Sequence, residues 1–330
     1  MCRVVATGHA GIVNELDEPV GASVDAEQHG PVWVIGIDGS TDSLHALGWA
    51  VARARDLAVS GQRVRLRACS AWQMPAMAPF GVGGTTMMIQ FDDLEAGTRQ
   101  RLDSVIDAVD TSGVEVSTVV VHGGAASALM EASADAELLI VGSRGHSALR
   151  DLVLGSVTRQ CCTHATVPVV VVPGEFDLSA PARAVIGFDL SERSAAAIRW
   201  ALGPGATVVG GARLEVLGAF DRSPFEDAEL TRERFGDEVA AAEAEFHRRV
   251  DELDPERAMA RVFSLAGARR ALAAAVSGEG RTGGDDVSGP ADLVVLGSRG
   301  RGAIGSALLG SVSNWMLHQL QCPTVIVPSS

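Results

Sequence analysis

Residues Val34–Ser40 read VIGIDGS, and at an offset of 151 residues Val185–Ser191 read VIGFDLS. An apolar, β-rich run that closes on an aspartate and turn-forming residues marks a strand delivering its end to a loop. Its return within one chain points to a duplicated unit. Ser43 and Trp49 recur as Ser194 and Trp200 at the same offset. Farther along, LIVGSRG (Leu139–Gly145) returns as VVLGSRG (Val294–Gly300), and LGSV (Leu154–Val157) returns at Leu309–Val312. VPVVVVP (Val167–Pro173) returns as CPTVIVP (Cys322–Pro328), and these three pairs all stand 155 residues apart. The offset changes because the second copy is shorter after its first helix but carries an insert, SGEGRTGGDDVSGP, from Ser277 to Pro290. The length of 330 residues fits two domains of roughly 100–200 residues each.

Within the first copy the pattern alternates. Apolar strand-length runs stand at Val32–Ile37, Val64–Ser70, Val114–Val121, Leu138–Val141 and Val167–Val172. Between them, helical spacing is read over Ser43–Leu57, Ile89–Val109, Ala125–Ala134 and Asp151–Cys162, and Gln73–Gly84 is read as a loop. Continuously apolar strands separated by helices predict a parallel sheet covered on both faces. The expected fold is therefore α/β, with two doubly wound parallel-sheet, Rossmann-like domains at 31–177 and 178–330 and a polar tail at 1–30.

Composition narrows the chemistry. All 27 basic residues are arginine, so a P-loop lysine, a Schiff base and the lysine-bearing loop of class I aminoacyl-tRNA synthetases are excluded. The net charge of −14 is spread along the chain with no basic stripe, which argues against sequence-independent nucleic-acid binding. Five cysteines, Cys2, Cys69, Cys161, Cys162 and Cys322, are too few and too scattered for a disulfide framework or a zinc site. Buried small hydrophobes are the plain reading for Cys161, Cys162 and Cys322, and redox sensing is the alternative. No signal peptide and no apolar run approaching the roughly 18 residues of a membrane span is read, so the expectation is a cytoplasmic, membrane-free chain. The eight histidines form no metal-ligand pattern, and no G-x-S-x-G or nucleophile–base pair appears. That favours binding without efficient turnover.

Open parallel sheets bind ligands beyond the carboxyl ends of their strands, where the strand order reverses. The repeated motifs fall at such ends: Asp38 and Asp189 after the first strand, Gly142 and Gly297 after the fourth. From Gly142 the motif continues as Ser143, Arg144, Gly145, nine residues, Gly155 and Ser156. From Gly297 it continues as Ser298, Arg299, Gly300, nine residues, Gly310 and Ser311. Free N–H groups of a beginning helix, with a serine hydroxyl, can meet phosphate oxygens without any lysine. Asp38 is open to a second reading as a turn residue, and Arg144 and Arg299 to one as solvated loop charges.

This spacing, G-x2-G-x9-G-S/T, resembles the nucleotide-binding branch of the universal stress protein family (UspA family), whose fold is like that of adenine nucleotide alpha hydrolases. The likeness runs from about residue 31 to 329 as a tandem pair. It includes the opening V/I-G-x-D-x-S (Gly36, Asp38, Ser40; Gly187, Asp189, Ser191), the S-x-x-A-x-x-W helix and the closing strand between prolines. The resemblance implies one ATP per copy, with Asp38 and Asp189 near adenine and ribose, and Ala71 and Ala219 offering backbone to the adenine. It places Gly142–Gly145 and Gly297–Gly300 at ribose and phosphate. Gly155, Ser156, Val157 and Thr158, with Gly310, Ser311, Val312 and Ser313, fall at the triphosphate, where Mg2+ often assists. Ser70 and Gly218 depart from the family, standing where a histidine-containing segment is usual. The insert reads plainly as a tolerated surface loop, and alternatively as a cover over the second site. Family members pair through the last strand, which leaves open pairing between the two copies or a homodimer of two chains. A regulatory ATP-binding role in stress response is expected first. A slow ATPase or nucleotidyl transferase, and a dimerising scaffold with structural nucleotide, are the alternatives.

Overall fold

The computed structural model describes residues 30–73, 91–145, 154–174, 176–220, 228–278, 289–298 and 309–328. The tail at 1–29, the methionine-rich stretch at 74–90, His146, Arg299, Gly300 and the insert residues 279–288 lie outside the described residues.

The first half runs β1 (Val32–Gly36), α1 (Thr41–Val59), β2 (Arg65–Trp72), α2 (Phe91–Asp107), β3 (Glu115–His122), α3 (Ala125–Ala132), β4 (Leu138–Gly142), α4 (Ser156–His164) and β5 (Val169–Val172). The second half runs β6 (Arg183–Gly187), α5 (Glu192–Leu202), α6 (Ala206–Val209), β7 (Arg213–Ala219), α7 (Ala228–Leu253), β8 (Ala260–Ser264), α8 (Ala268–Ser277), β9 (Leu293–Gly297), α9 (Ser311–His318) and β10 (Thr324–Val327). α4, expected from Asp151, is described from Ser156, and residues 151–153 of the expected helix lie outside the described residues. Gly155 is extended (φ −67°, ψ 150°) and its N–H donates to the Ser143 carbonyl at 2.8 Å, so Gly155 itself stands outside the helix.

One ten-stranded sheet carries the order β3-β2-β1-β4-β5-β10-β9-β6-β7-β8. Each half thus repeats one doubly wound pattern, parallel throughout, with the reversal of order between β1 and β4 or between β6 and β9. The halves meet where β5 and β10 pair antiparallel, Val170 opposite Val325 and Val169 opposite Ile326. Both edges of β5 and of β10 are thereby occupied, β5 by β4 and β10, β10 by β9 and β5. The last-strand pairing is made within one chain, and an intermolecular dimer through these strands has no edge left to use.

Successive strand residues face opposite sides. Trp33 and Ile35 enter one core layer with α1, where Trp33 stacks on Trp49 at 6.4 Å. Val34, Leu139 and Val141 enter the other with α3 and α4. Each layer contains residues of both halves. The connection between halves is tied down as well: Arg53 of α1 donates to the Leu178 carbonyl at 2.8 Å.

Because the core layers cross the junction, the two halves are expected to unfold together. Ile326→Ala, at a position 1% exposed, should cost about 2–5 kcal/mol and shift a single urea transition. Two separate transitions, with only one moved, would contradict a shared core.

Candidate functional site

The β1–α1 turn projects Asp38. Its carboxylate accepts the Ser40 N–H at 2.9 Å, and Ser40 caps α1 by accepting the Ser43 N–H at 3.2 Å. The second half repeats the device: Asp189 accepts from the Ser191 N–H at 3.1 Å, and Ser191 caps α5. Such caps satisfy the otherwise unpaired first-turn donors. The residue after the aspartate is left-handed in both halves, Gly39 at φ 82° and Leu190 at φ 67°. A leucine there costs roughly 1–2 kcal/mol, so the turn is imposed by its surroundings and not by local preference.

The β4 loop meets this turn. A Cβ on Gly145 would lie 2.6 Å from Asp38 Oδ2, and one on Gly142 would lie 2.7 Å from the backbone of Asp42. The same loop is bonded to the next helix through Gly155 N–H and Ser143 O at 2.8 Å, matched by Gly310 N–H and Ser298 O at 2.8 Å. Gly155 and Gly310 are N-caps that give no side-chain hydrogen bond to their helices. The opening N–H groups of α4 and α9 are thus available to an anion, with the exposed Ser156 and Ser311 beside them.

Several residues singled out from sequence have other work. Thr158 and Ser313 are buried and donate to the carbonyls of Gly142 and Gly297 at 2.8 and 2.7 Å, tying helix to strand. Gly36 and Gly187 make room for core leucines: a Cβ would lie 3.0 Å from Leu129 or 2.5 Å from Leu296. Val157 and Val312 pack against the α3/α4-side core layer, as do Ala71 and Ala219 near the ends of β2 and β7. Gly218 lacks a side chain because the Phe246 ring occupies that space, 2.5 Å from where a Cβ would stand.

The insert residues 279–288, read alternatively as a cover over the second site, lie outside the described residues, and only their stem is described. This stem is closed by Arg183, whose guanidinium donates to the carbonyls of Ala275 and Gly289 at 2.9 Å and pairs with the buried Glu215. Arg183 opens β6, and the stem leads into the start of β9. The insert is therefore rooted at the amino end of the strands, a full strand length from the glycine loop. Between this stem and the glycine loop lies β9.

The residue that sequence reasoning missed is Asp42. It is 6% exposed on the first turn of α1, and its Oδ2 accepts from Ser143 Oγ at 2.6 Å, Arg144 N–H at 3.0 Å and Arg144 Nε at 3.1 Å. Arg144 is thus held in an ion pair. The signal was available only as an acid within the D-x-S-x-x-S turn, which no spacing rule links to a loop 101 residues away. At the β2 and β3 ends Trp72 and His122 lie 4.6 Å apart, tilted, at the same margin of the sheet.

Cys69, Cys161, Cys162 and Cys322 are free and buried. Burial pushes the thiols of Cys69, Cys161 and Cys322 up to about 12, and that of Cys162 further in the same direction. Groups so protonated are poor nucleophiles. Among the described residues no cluster of His, Cys, Asp or Glu could hold a metal ion, and no helix is long and apolar enough to cross a membrane.

A paired, doubly wound α/β architecture with glycine loops facing helix N-termini at each reversal of strand order defines a class of ligand-site proteins. The sequence profile of the universal stress protein family matches residues 33–173 and 286–328, more than half of the chain, and the chain belongs to that family. It is 27% identical over 314 residues to a universal stress protein of Mycolicibacterium smegmatis, covering 89% of this chain and 96% of that one. A universal stress protein of Mycobacterium tuberculosis is 28% identical over 315 residues, covering 92% and 98%. Among solved structures, a universal stress protein from Archaeoglobus fulgidus superposes with a TM-score of 0.63 at 15% identity, covering 91% of this chain and 98% of that one. That likeness concerns the fold.

The packing separates two neighbouring glycines. Gly142→Ala drives a methyl into backbone and should cost about 1–3 kcal/mol in urea denaturation. Gly145→Ala meets, among the described residues, the tip of the Asp38 carboxylate and no backbone, and should cost less than about 0.5 kcal/mol. In native protein at about pH 8, where an ordinary thiol of pKa ~8.5 reacts, the four buried cysteines should label only after unfolding. Rapid labelling of any of them would contradict their burial.

Proposed function

We propose that the chain is a tandem universal stress protein that binds one ATP in each half, spanning 31–177 and 178–330, and acts as a regulatory nucleotide-binding protein of the cytoplasm. The observation that carries this reading is the same joined pair of backbone elements in both halves. A Gly-Ser-Arg loop at the carboxyl end of β4 or β9 is hydrogen-bonded to a glycine-capped helix N-terminus at 2.8 Å, where strand order reverses. Gly caps leave helix N–H groups for phosphate oxygens, and a glycine under Asp38 leaves backbone that a ligand can approach closely.

In this reading Asp38 and Asp189 receive the ribose or base, and backbone at Ala71 and Ala219 borders the adenine. Gly142–Gly145 and Gly297–Gly300 line ribose and phosphate. Gly155, Ser156 and Val157, with Gly310, Ser311 and Val312, meet the triphosphate. Magnesium arrives bound to the phosphates, which carry the charge to hold it. The absence of lysine is compatible with this, since the donors are main-chain groups, hydroxyls and arginine.

Mass spectrometry of the purified chain, with calorimetry, tests the proposal. Close to one ATP per half is expected, unchanged after prolonged incubation with magnesium. ADP accumulating over that incubation would make the protein a slow ATPase. An empty protein with no ATP binding would leave a scaffold. Replacing Gly145 and Gly300 together with valine should abolish ATP binding while leaving the fold intact by circular dichroism.

A further inference from the structure

We infer that the leading turns of α7, Ala228–Arg234, are a hinged lid on the base end of the second half's site, and that their opening sets how fast nucleotide enters and leaves there. The inference rests on the nucleotide reading above and adds a regulation of that same site.

α7 runs from the carboxyl to the amino end of the strands it covers. Its Phe246 packs level with Gly218, next to last in β7, where a Cβ would lie 2.5 Å from the ring. Past Leu253 the Asp254 carboxylate accepts the N–H groups of Ala258 and Met259 at 2.9 Å, turning the chain into the start of β8. The turns of α7 ahead of Phe246 therefore lead out toward the carboxyl margin. There the Phe235 ring meets that of Phe220, the first residue past β7, with centroids 6.2 Å apart. Gly187 pairs with Leu217, which brings Asp189 level with Ala219, and Phe220 follows directly. The arm thus stands at the margin where Asp189 and Ala219 are read as receiving ribose and base.

The arm is jointed to the rest of the helix. Phe235 leaves helical geometry (φ −129°, ψ 30°), a break between two helical stretches. Exposed Gly236 follows, and a Cβ on it would meet nothing within 4 Å among the described residues. Behind this joint Val239, Phe246 and Val250 are buried and fix the helix to the core. Ahead of it Arg232, Glu233 and Arg234 are exposed, and Leu230 is 44% exposed. Buried Thr231 seats the arm, and the Phe235 ring latches it over the buried Phe220. Two turns held in this way open at far lower cost than the whole fold. A glycine beside a non-helical residue is where the change in backbone angles is absorbed.

The test is the rate of binding and of release of radiolabelled ATP, chased with excess Mg·ATP, on the full chain. Phe235→Ala removes the latch. It should speed association and release together, roughly five- to ten-fold, for the half of the bound ATP held by the second site, the scale of one aromatic pair. Gly236→Ala restricts the joint and should slow both about two- to five-fold. Its exposed position tolerates a methyl group, and it carries the test alone if Phe235→Ala does not fold. Amide hydrogen exchange across 228–236 should slow when ATP is added. Rates indifferent to the variants, or exchange unchanged by ATP, would overturn the lid while leaving the nucleotide reading in place. So would faster release with unchanged association in Phe235→Ala, the mark of a ring that touches the ligand directly. An effect on all of the bound ATP marks general loosening and overturns it as well. No ATP binding at either site would overturn both.

Discussion

Three paired residues on each side hold this molecule as one sheet. β5 and β10 are only Val169–Val172 and Thr324–Val327, every one of them buried, and their antiparallel pairing converts two five-stranded units into ten continuous strands. An apolar strand this short cannot be left at an edge, since its unpaired main chain would recruit another strand. Joining the two copies answers that need internally. It also fixes direction: strands of one half run opposite to those of the other, so the two sets of carboxyl ends open on opposite margins of the sheet. Neither site can lend a residue to its twin, and each must be complete within its own half.

Much of the strand layout was legible because the chain punctuates itself. Pro168 and Pro173 bracket β5, Asp38 and Gly39 close β1, and each apolar run between such marks became a strand within about two residues. The repeat made the second half readable from the first. The partner of the last strand was not readable, because an apolar edge states that it must be covered without stating by what. The register of β5 on β10 depends on both halves being folded, which is information no local window holds.

At the candidate site the glycines were legible and the side-chain traffic was not. The spacing from Gly142 to Ser156 reports a loop and a helix start, since backbone shape leaves a trace in sequence. Whether Thr158 faces a ligand or the Gly142 carbonyl is decided by a single rotamer, and the structure has it facing the carbonyl at 2.8 Å. Asp42 reaches Ser143 and Arg144 only because α1 begins directly over the end of β4, which is why a Cβ on Gly142 would strike it. Leu190 makes the complementary point. Its left-handed backbone contradicts its own preference, so that turn is not readable from the residue alone.

The knot at Arg183 has a practical side. By binding Ala275 and Gly289 carbonyls together, with Gly278 left-handed at φ 73° against Pro290, the fold closes the neck of its own insertion. What lies between residues 279 and 288 does not have to bring the ends together, and the entropy of closing a longer loop there grows only slowly with its length. This is therefore a natural splice point, where a foreign peptide or a small reporter domain could be carried at the amino end of the second half's strands, away from that half's glycine loop.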